Sequence, residues 1–272
     1  MSSLPVKKAK DLDNSRSFVF YGLSGSGKTT LAGTFPGPIL LCDCRDRGTD
    51  SIIGNDAIDV YEVEEWNDLE RAYWFLKKNP DKYKTVVIDT TSQLQGIAIE
   101  HVLDAHNQSG HADDIGWGTM TQKMWGEVAS MLKPKITEFR DLPMNVVFIA
   151  QHRVFNVSTD EEQDPSTALL APEVGPAMMP SVMKHLNASV SIIANTFIRT
   201  RIEEKVTNQK IGTGRRAKTK EVVEEIEHIE YALRIGPSAL YATKARKSKA
   251  IKLPEIIVDP DYDKIISALK GE

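Results

Sequence analysis

The chain has 272 residues, 41% of them hydrophobic and 26% charged, which suits one decorated α/β domain or at most two small ones. A formal net charge of −4 excludes a globally basic field, so nucleic-acid contact would have to rest on local patches. The two cysteines, Cys42 and Cys44, lie one residue apart, a spacing that suits neither a structural disulfide nor a complete four-ligand zinc site. They read as buried or half-buried residues in a reducing compartment.

Residues 1–15 read as a flexible polar lead with no apolar leader segment. No apolar run approaches the roughly 18 residues of a membrane span, so the expected location is the cytoplasm, with no membrane partner. Ser17-Phe18-Val19-Phe20-Tyr21 is an apolar strand. It runs into Gly22, Leu23, Ser24, Gly25, Ser26, Gly27, Lys28 and Thr29, which spell G-x-x-x-x-G-K-[ST], a phosphate-binding loop. Thr30 to Phe35 can open a helix, stopped by Pro36-Gly37-Pro38. That strand–loop–helix context gives the short pattern its weight. The glycines let successive N–H groups point at phosphate oxygens, and the start of the following helix adds to the same field. Lys28 supplies a point charge, the Thr29 hydroxyl is placed for Mg²⁺, and Thr30 completes the contact set. The cofactors expected are ATP and Mg²⁺.

Ile39 to Asp43 reads as a buried strand ending in a polar turn, and Ile58 to Val63 as a short edge strand. Trp66 to Lys78 carries apolar residues at helical spacing. Lys84 to Thr90 is an apolar run closed by an acid, and reads as a strand buried on both faces. Helices are expected from Ser92 to about Asn107 and from near Thr119 to Arg140, the second kinked at Pro134. Asn145 to Ala150 is another buried strand. This alternation predicts a mostly parallel sheet with crossover helices. Beyond it, Val157 to Pro172 reads as a loop and Val182 to Asn187 as a short helix. Ala188 to Thr200 and His228 to Ile235 read as strands of an antiparallel hairpin. Its basic turn, residues 207–222, holds Lys210, Arg215, Arg216, Lys218 and Lys220. The domain plan is a lead at 1–15, a core at 16–255 and a tail at 256–272.

A phosphate loop needs a second acid to orient Mg²⁺, and Asp89 at the end of its strand is the candidate. Val147-Phe148-Ile149-Ala150-Gln151-His152-Arg153 puts a Gln directly after a buried strand, and Lys244-Ala245-Arg246 follows the last strands. With the loop and Asp89, these features resemble the RecA-like ATPase fold, and more closely the minimal phage-encoded RecA-like ATPases of single-strand annealing recombination. The resemblance covers about residues 16–255. It implies an α/β RecA-like core and an ATPase that binds single-stranded DNA and promotes annealing or strand exchange. It further implies assembly with copies of itself, in the host cytoplasm for a phage-encoded protein. A single-strand DNA-binding protein is a further candidate partner.

The resemblance also implies roles. Gln151 would sense the γ-phosphate and relay it to a DNA-binding loop at about Arg153 to Pro180. Lys244 and Arg246 would reach into a neighbour's ATP, a planar guanidinium matching the charge on the transferred phosphoryl. The basic turn and Arg153 would contact DNA phosphates without reading sequence. One departure matters. Where the family carries a catalytic Glu, this chain reads Asp43-Cys44-Arg45-Asp46-Arg47, with Arg45 in the Glu position. Asp46 or Asp43 would then have to activate water; if neither does, the protein is an ATP-gated loader or adaptor with weak hydrolysis. The N-terminal oligomerisation segment and C-terminal duplex-binding domain of full-length RecA have no counterpart in this plan. A small-molecule kinase would need an arginine-bearing lid, and the stretch from His106 to Trp125 has no arginine.

Overall fold

The computed structural model describes residues 16–108, 119–157, 171–211 and 218–272. In chain order the first half is β1 (Ser17–Gly22), α1 (Lys28–Ala32), β2 (Ile39–Asp43), β3 (Ile58–Glu62), α2 (Trp66–Lys78), β4 (Thr85–Asp89), α3 (Thr91–Gln108), α4 (Gln122–Arg140) and β5 (Asn145–Val157). Then come β6 (Ala171–Pro176), α5 (Pro180–Ser189), β7 (Ile192–Ile211), β8 (Lys218–Arg234), β9 (Lys244–Ala245), β10 (Ile256–Val258) and α6 (Tyr262–Lys270). Among the described residues, no helix is long and apolar enough to cross a membrane.

Strand β1 explains the layering. Every residue in it is buried. Val19 and Tyr21 point into one core, shared with α2, α3, α4 and α5, while Phe18 and Phe20 point into the other, shared with α1 and α6. A strand apolar on both faces belongs at the centre of a sheet covered on both sides. Accordingly β1 pairs in parallel with β5 on one side and β7 on the other. The full order is β10-β8-β7-β1-β5-β4-β2-β3, parallel from β7 to β3 and antiparallel at β7, β8 and β10. The strand with the phosphate loop and the strand ending in Asp89 are thus separated by β5. This is the RecA-like α/β arrangement, with the antiparallel strands added at the C-terminal end.

The helices follow their sequence signals. In α2, Trp66, Leu69, Ala72, Tyr73 and Leu76 form the buried stripe, and the Asp68 carboxylate accepts from the Glu64 and Glu65 N–H groups at the N-terminus. In α4, Thr121 caps the Met124 N–H, and the helix runs through Pro134 to Arg140.

Three expectations are corrected. Strand β5 does not stop at Ala150 but continues through Arg153 to Val157 and pairs antiparallel with β6, so both described ends of the expected loop over 153–180 are paired strand, while residues 158–170 lie outside the described residues. The β7–β8 hairpin is much longer than expected, with pairing from Asn195↔Arg234 out to Ile211↔Lys218. Outside the core this ribbon carries charge pairs on one face, Arg199–Glu230 and Glu203–His228, which contribute little burial signal to the sequence. Last, residues 256–272 are not a tail. Strand β10 pairs with β8, and Ile257, Ile265 and Leu269 join the core around Phe35. Phe35 packs edge-on against Phe18 at 4.9 Å and meets Tyr262 of α6 at 4.9 Å.

Ile265 is fully buried, so Ile265→Ala leaves a cavity between α6 and the sheet. The expected loss is about 2–5 kcal/mol of unfolding free energy, read by chemical denaturation. A loss within error of zero would place α6 outside the cooperative core.

Candidate functional site

The loop after β1 is built from backbone constraints. Gly22 sits between β5 and β7; a Cβ there would lie 2.3 Å from Thr196 O and 2.4 Å from Thr196 Oγ1, so only glycine fits. Gly25 and Gly27 have φ of 77° and 83°, the left-handed region that glycine enters without strain. Ser26 Oγ donates to Leu23 O at 2.7 Å and shares a 2.7 Å hydrogen bond with Thr196 Oγ1. Thr196, on β7, therefore holds the loop from outside. Helix α1 is only five residues long, so the loop's own N–H groups carry most of the attraction for phosphate. Lys28 is buried, and its Nζ donates to Gly22 O at 3.2 Å and Leu23 O at 2.7 Å. Burial pulls its pKa down, while Asp89 and Asp46 hold it up. The loop carbonyls therefore keep the ammonium in place until a phosphate replaces them.

Asp89 lies beside this loop because β4 ends two strands away, level with Ile149 of β5. Its Oδ2 accepts from Thr29 Oγ1 at 2.7 Å. Its Oδ1 is buried with no hydrogen-bond partner among the described residues. Burial pushes the carboxyl up to about 6; the Thr29 hydrogen bond and Lys28 oppose this, and the charges of Asp46 and Asp43 add to it. A buried carboxylate oxygen with no donor, next to a hydroxyl, is a ligand set that fits a hard divalent cation such as Mg²⁺. Thr29 and Asp89 are the residues that would hold it. Groups of three or more His, Cys, Asp or Glu side chains placed for a metal are absent among the described residues.

Asp43 and Asp46 differ in their surroundings. Asp43 Oδ1 accepts the N–H groups of Asp46 at 2.9 Å and Arg47 at 3.1 Å, so its carboxylate shapes the turn. Arg45 and Arg47 take left-handed φ values of 59° and 52° there. The Arg45 side chain turns to Glu100 at 2.6 Å and Glu64 at 3.4 Å. Asp46 instead lines a cavity of about 650 Å³ with the phosphate loop and Gln151. Burial and the Asp43 charge raise its pKa, and Lys28 opposes them. Gln151 pairs in register with Gly22 across β5 and β1, and its N–H donates to Ser92 Oγ at 3.1 Å. One cavity thus collects the loop through Thr30, Asp46 and Gln151, with Asp89 joined to it through Thr29.

A profile of the AAA domain family matches residues 14–230. The chain belongs to the AAA domain family. A comparison with curated proteins finds no match. Among solved structures, a KaiC-like protein, PH0186, from the hyperthermophilic archaeon Pyrococcus horikoshii OT3 is similar at 11% identity and TM-score 0.38, over 90% of this chain and 89% of that one. The flagellar accessory protein FlaH from Methanocaldococcus jannaschii is similar at 10% identity and TM-score 0.34, over 92% and 91%. Superpositions at these scores are loose, and the RecA-like P-loop ATPase fold of this AAA domain protein is assigned from its strand order, its register and the loop after β1.

The other residues singled out in the sequence lie elsewhere. Lys244 opens the two-residue β9 and Arg246 follows it; β9 pairs with the start of β7, three rungs before the phosphate loop's end of the sheet. Lys244 Nζ donates to Asn187 O at 2.7 Å and Ala188 O at 2.8 Å, and Arg246 to Ala188 O at 3.2 Å, so both bind carbonyls at the C-terminal end of α5. Burial and the Arg246 charge lower the Lys244 pKa. Neither reaches the cavity of its own chain. Arg153 is exposed, with its guanidinium 5.4 Å from the Phe155 ring. Lys210, Lys218 and Lys220 belong to the outer end of the β7–β8 ladder, and Arg215 and Arg216 lie outside the described residues. Sequence reasoning missed Thr196 and the far wall of the cavity, Tyr231, Asp259 and Pro260. No local pattern marks them; they meet the loop only through β-pairing.

The folded protein holds the Asp89 proton up to about pH 6, whereas an unfolded chain releases it near ~4. The folded state therefore binds more protons across that window, and the ligand-free protein loses stability as pH rises through it. Asp89→Asn is expected to raise the melting temperature of the ligand-free protein at pH 7. It should also cancel the extra stabilisation that Mg²⁺ gives in the presence of nucleotide. Melting scans of both proteins, with and without Mg²⁺ and ATP, read both effects; a lower ligand-free value would contradict the unpartnered-oxygen account.

Proposed function

We propose that this AAA domain protein is a Mg-ATP-dependent ATPase of RecA type that binds single-stranded DNA and promotes strand annealing or exchange, as the minimal phage members do. The observation that carries the nucleotide chemistry is the single cavity bringing together the phosphate loop, Asp46 and Gln151, with Asp89 behind Thr29. In this reading the loop N–H groups and Lys28 bind the β- and γ-phosphates. Thr29 and Asp89 hold Mg²⁺, which when bound neutralises phosphate charge. Asp46 orients and deprotonates the attacking water. It is favoured over Asp43, whose Oδ1 is engaged by the turn. Gln151 senses the γ-phosphate and passes its presence along β5 to the β5–β6 hairpin, where Arg153 is exposed.

Two features support the DNA reading. Arg153 over Phe155 gives a cation beside a ring, a pairing suited to phosphate and base. The basic residues Lys210, Lys218 and Lys220 fall at the outer end of the β7–β8 ladder. Copies of the chain would assemble with ATP at the shared surface. Lys244 and Arg246 would then leave the α5 carbonyls for a neighbour's phosphates, and a single-strand DNA-binding protein would present the strand.

A second reading, an ATP-gated loader or adaptor, is favoured by Arg45, which stands in the family's Glu position and pairs with Glu64 and Glu100.

The ATPase rate with and without single-stranded DNA tests the proposal. Stimulation by DNA, retention of DNA at low salt and loss of turnover in Lys28→Ala are expected. Asp46→Asn should lower kcat by about a hundredfold or more while ATP still binds. Unchanged turnover in Asp46→Asn removes it as the base. ATP-dependent partner capture with negligible turnover favours the loader.

A further inference from the structure

The cavity extends past the phosphate loop to a wall the nucleotide reading has not used. Tyr231 of β8 lines it, with Asp259 and Pro260 beyond β10. Tyr231, Asp259 and Pro260 lie beyond residues 14–230, the span that the AAA domain profile matches. The Tyr231 ring lies against the loop: a Cβ added at Gly27 would stand 3.3 Å from Tyr231 Cδ1. Its backbone is fixed from the C-terminal side. The Asp259 N–H donates to Tyr231 O at 2.7 Å, and Val258 pairs with Ala232. Just beyond, the Tyr262 N–H donates to Thr34 Oγ1 at 3.0 Å, so the segment from β10 to α6 spans from β8 to the residues after α1. Despite these ties the Tyr231 side chain is 46% exposed, while Leu233, two residues on along the same face, is fully buried. The fold brings an aromatic ring to the rim of a phosphate site and leaves it uncovered.

A cavity of about 650 Å³ is larger than a triphosphate needs and is of the size that holds a whole nucleotide. We propose that Tyr231, walled by Asp259 and Pro260, is the platform on which the nucleobase stacks, so that the C-terminal segment completes the nucleotide site. The inference rests on the nucleotide reading of the same cavity. Stacking on an aromatic face is tolerant of base identity, so the ring adds affinity for a nucleoside triphosphate over bare phosphate.

The test compares ATP with inorganic tripolyphosphate, both with Mg²⁺, on the full chain. Tyr231→Ala is expected to bind ATP about tenfold or more weakly than the unmodified protein and tripolyphosphate equally well. Tyr231→Trp keeps a ring over Gly27, and its added fluorescence is expected to be quenched by ATP and not by tripolyphosphate. Equal ATP affinity in Tyr231→Ala and the unmodified protein, or equal quenching by the two ligands, overturns the platform. If Tyr231→Ala loses both ligands through misfolding, the Tyr231→Trp quench decides. If the unmodified protein binds neither ligand, the nucleotide reading itself falls, a result distinct from failure of the platform.

Discussion

The site depends on the closeness of two backbones. Gly22 ends β1 with Thr196 of β7 so near that no side chain fits between them. That contact lets the Thr196 hydroxyl reach Ser26, and Ser26 in turn holds Leu23, whose carbonyl anchors Lys28. The charged group at the centre of the site is thus positioned by a chain of short polar contacts that starts in the parallel pairing of β1 with β7. A loop on a surface would have no such support; this one is pinned by the sheet core on both sides.

The electrostatics follow from the same packing. Asp89 and Asp46 act on the buried ammonium of Lys28, Asp43 adds its charge to both acids, and burial with these neighbouring charges raises the pKa of Asp89 and of Asp46. Three acids around one cation leave local negative charge that a divalent metal would balance. The triphosphate would add negative charge of its own, which the loop N–H groups, Lys28 and the same metal would offset. Metal and nucleotide therefore suit this cavity better together than either does alone.

Much of the first half was legible because its signals are local. Phe18 to Tyr21 is apolar at every position, the loop glycines are spaced by backbone need, and the stripe of α2 repeats at helical period. The same locality explains the failures. Beyond Ile198 the β7–β8 ribbon alternates charge with apolar residues that stay exposed, so its cross-strand pairs are visible only once the register is known. The C-terminal segment offered few apolar residues, and Ile257, Ile265 and Leu269 gain their burial from distant Phe35. Asp43 and Asp46 were indistinguishable in sequence; only the direction of the turn, set by two left-handed arginines, separates them. The role in a neighbour's site given to Lys244 and Arg246 rests on the resemblance, and within this chain their partners are the carbonyls of α5.

The residue preceding the loop carries one more consequence. Tyr21 is buried, and its hydroxyl proton is shared between Val174 O at 2.9 Å and Ala242 O at 3.0 Å. Val174 belongs to β6, the returning strand of the hairpin that Gln151 begins, and Ala242 leads into β9. One rigid ring therefore works as a strut between the strand that grips phosphate and two segments that reach away from it. Both tethers sit one peptide from Gly22, so β6 and the approach to β9 are tied by a single side chain to the start of the phosphate loop.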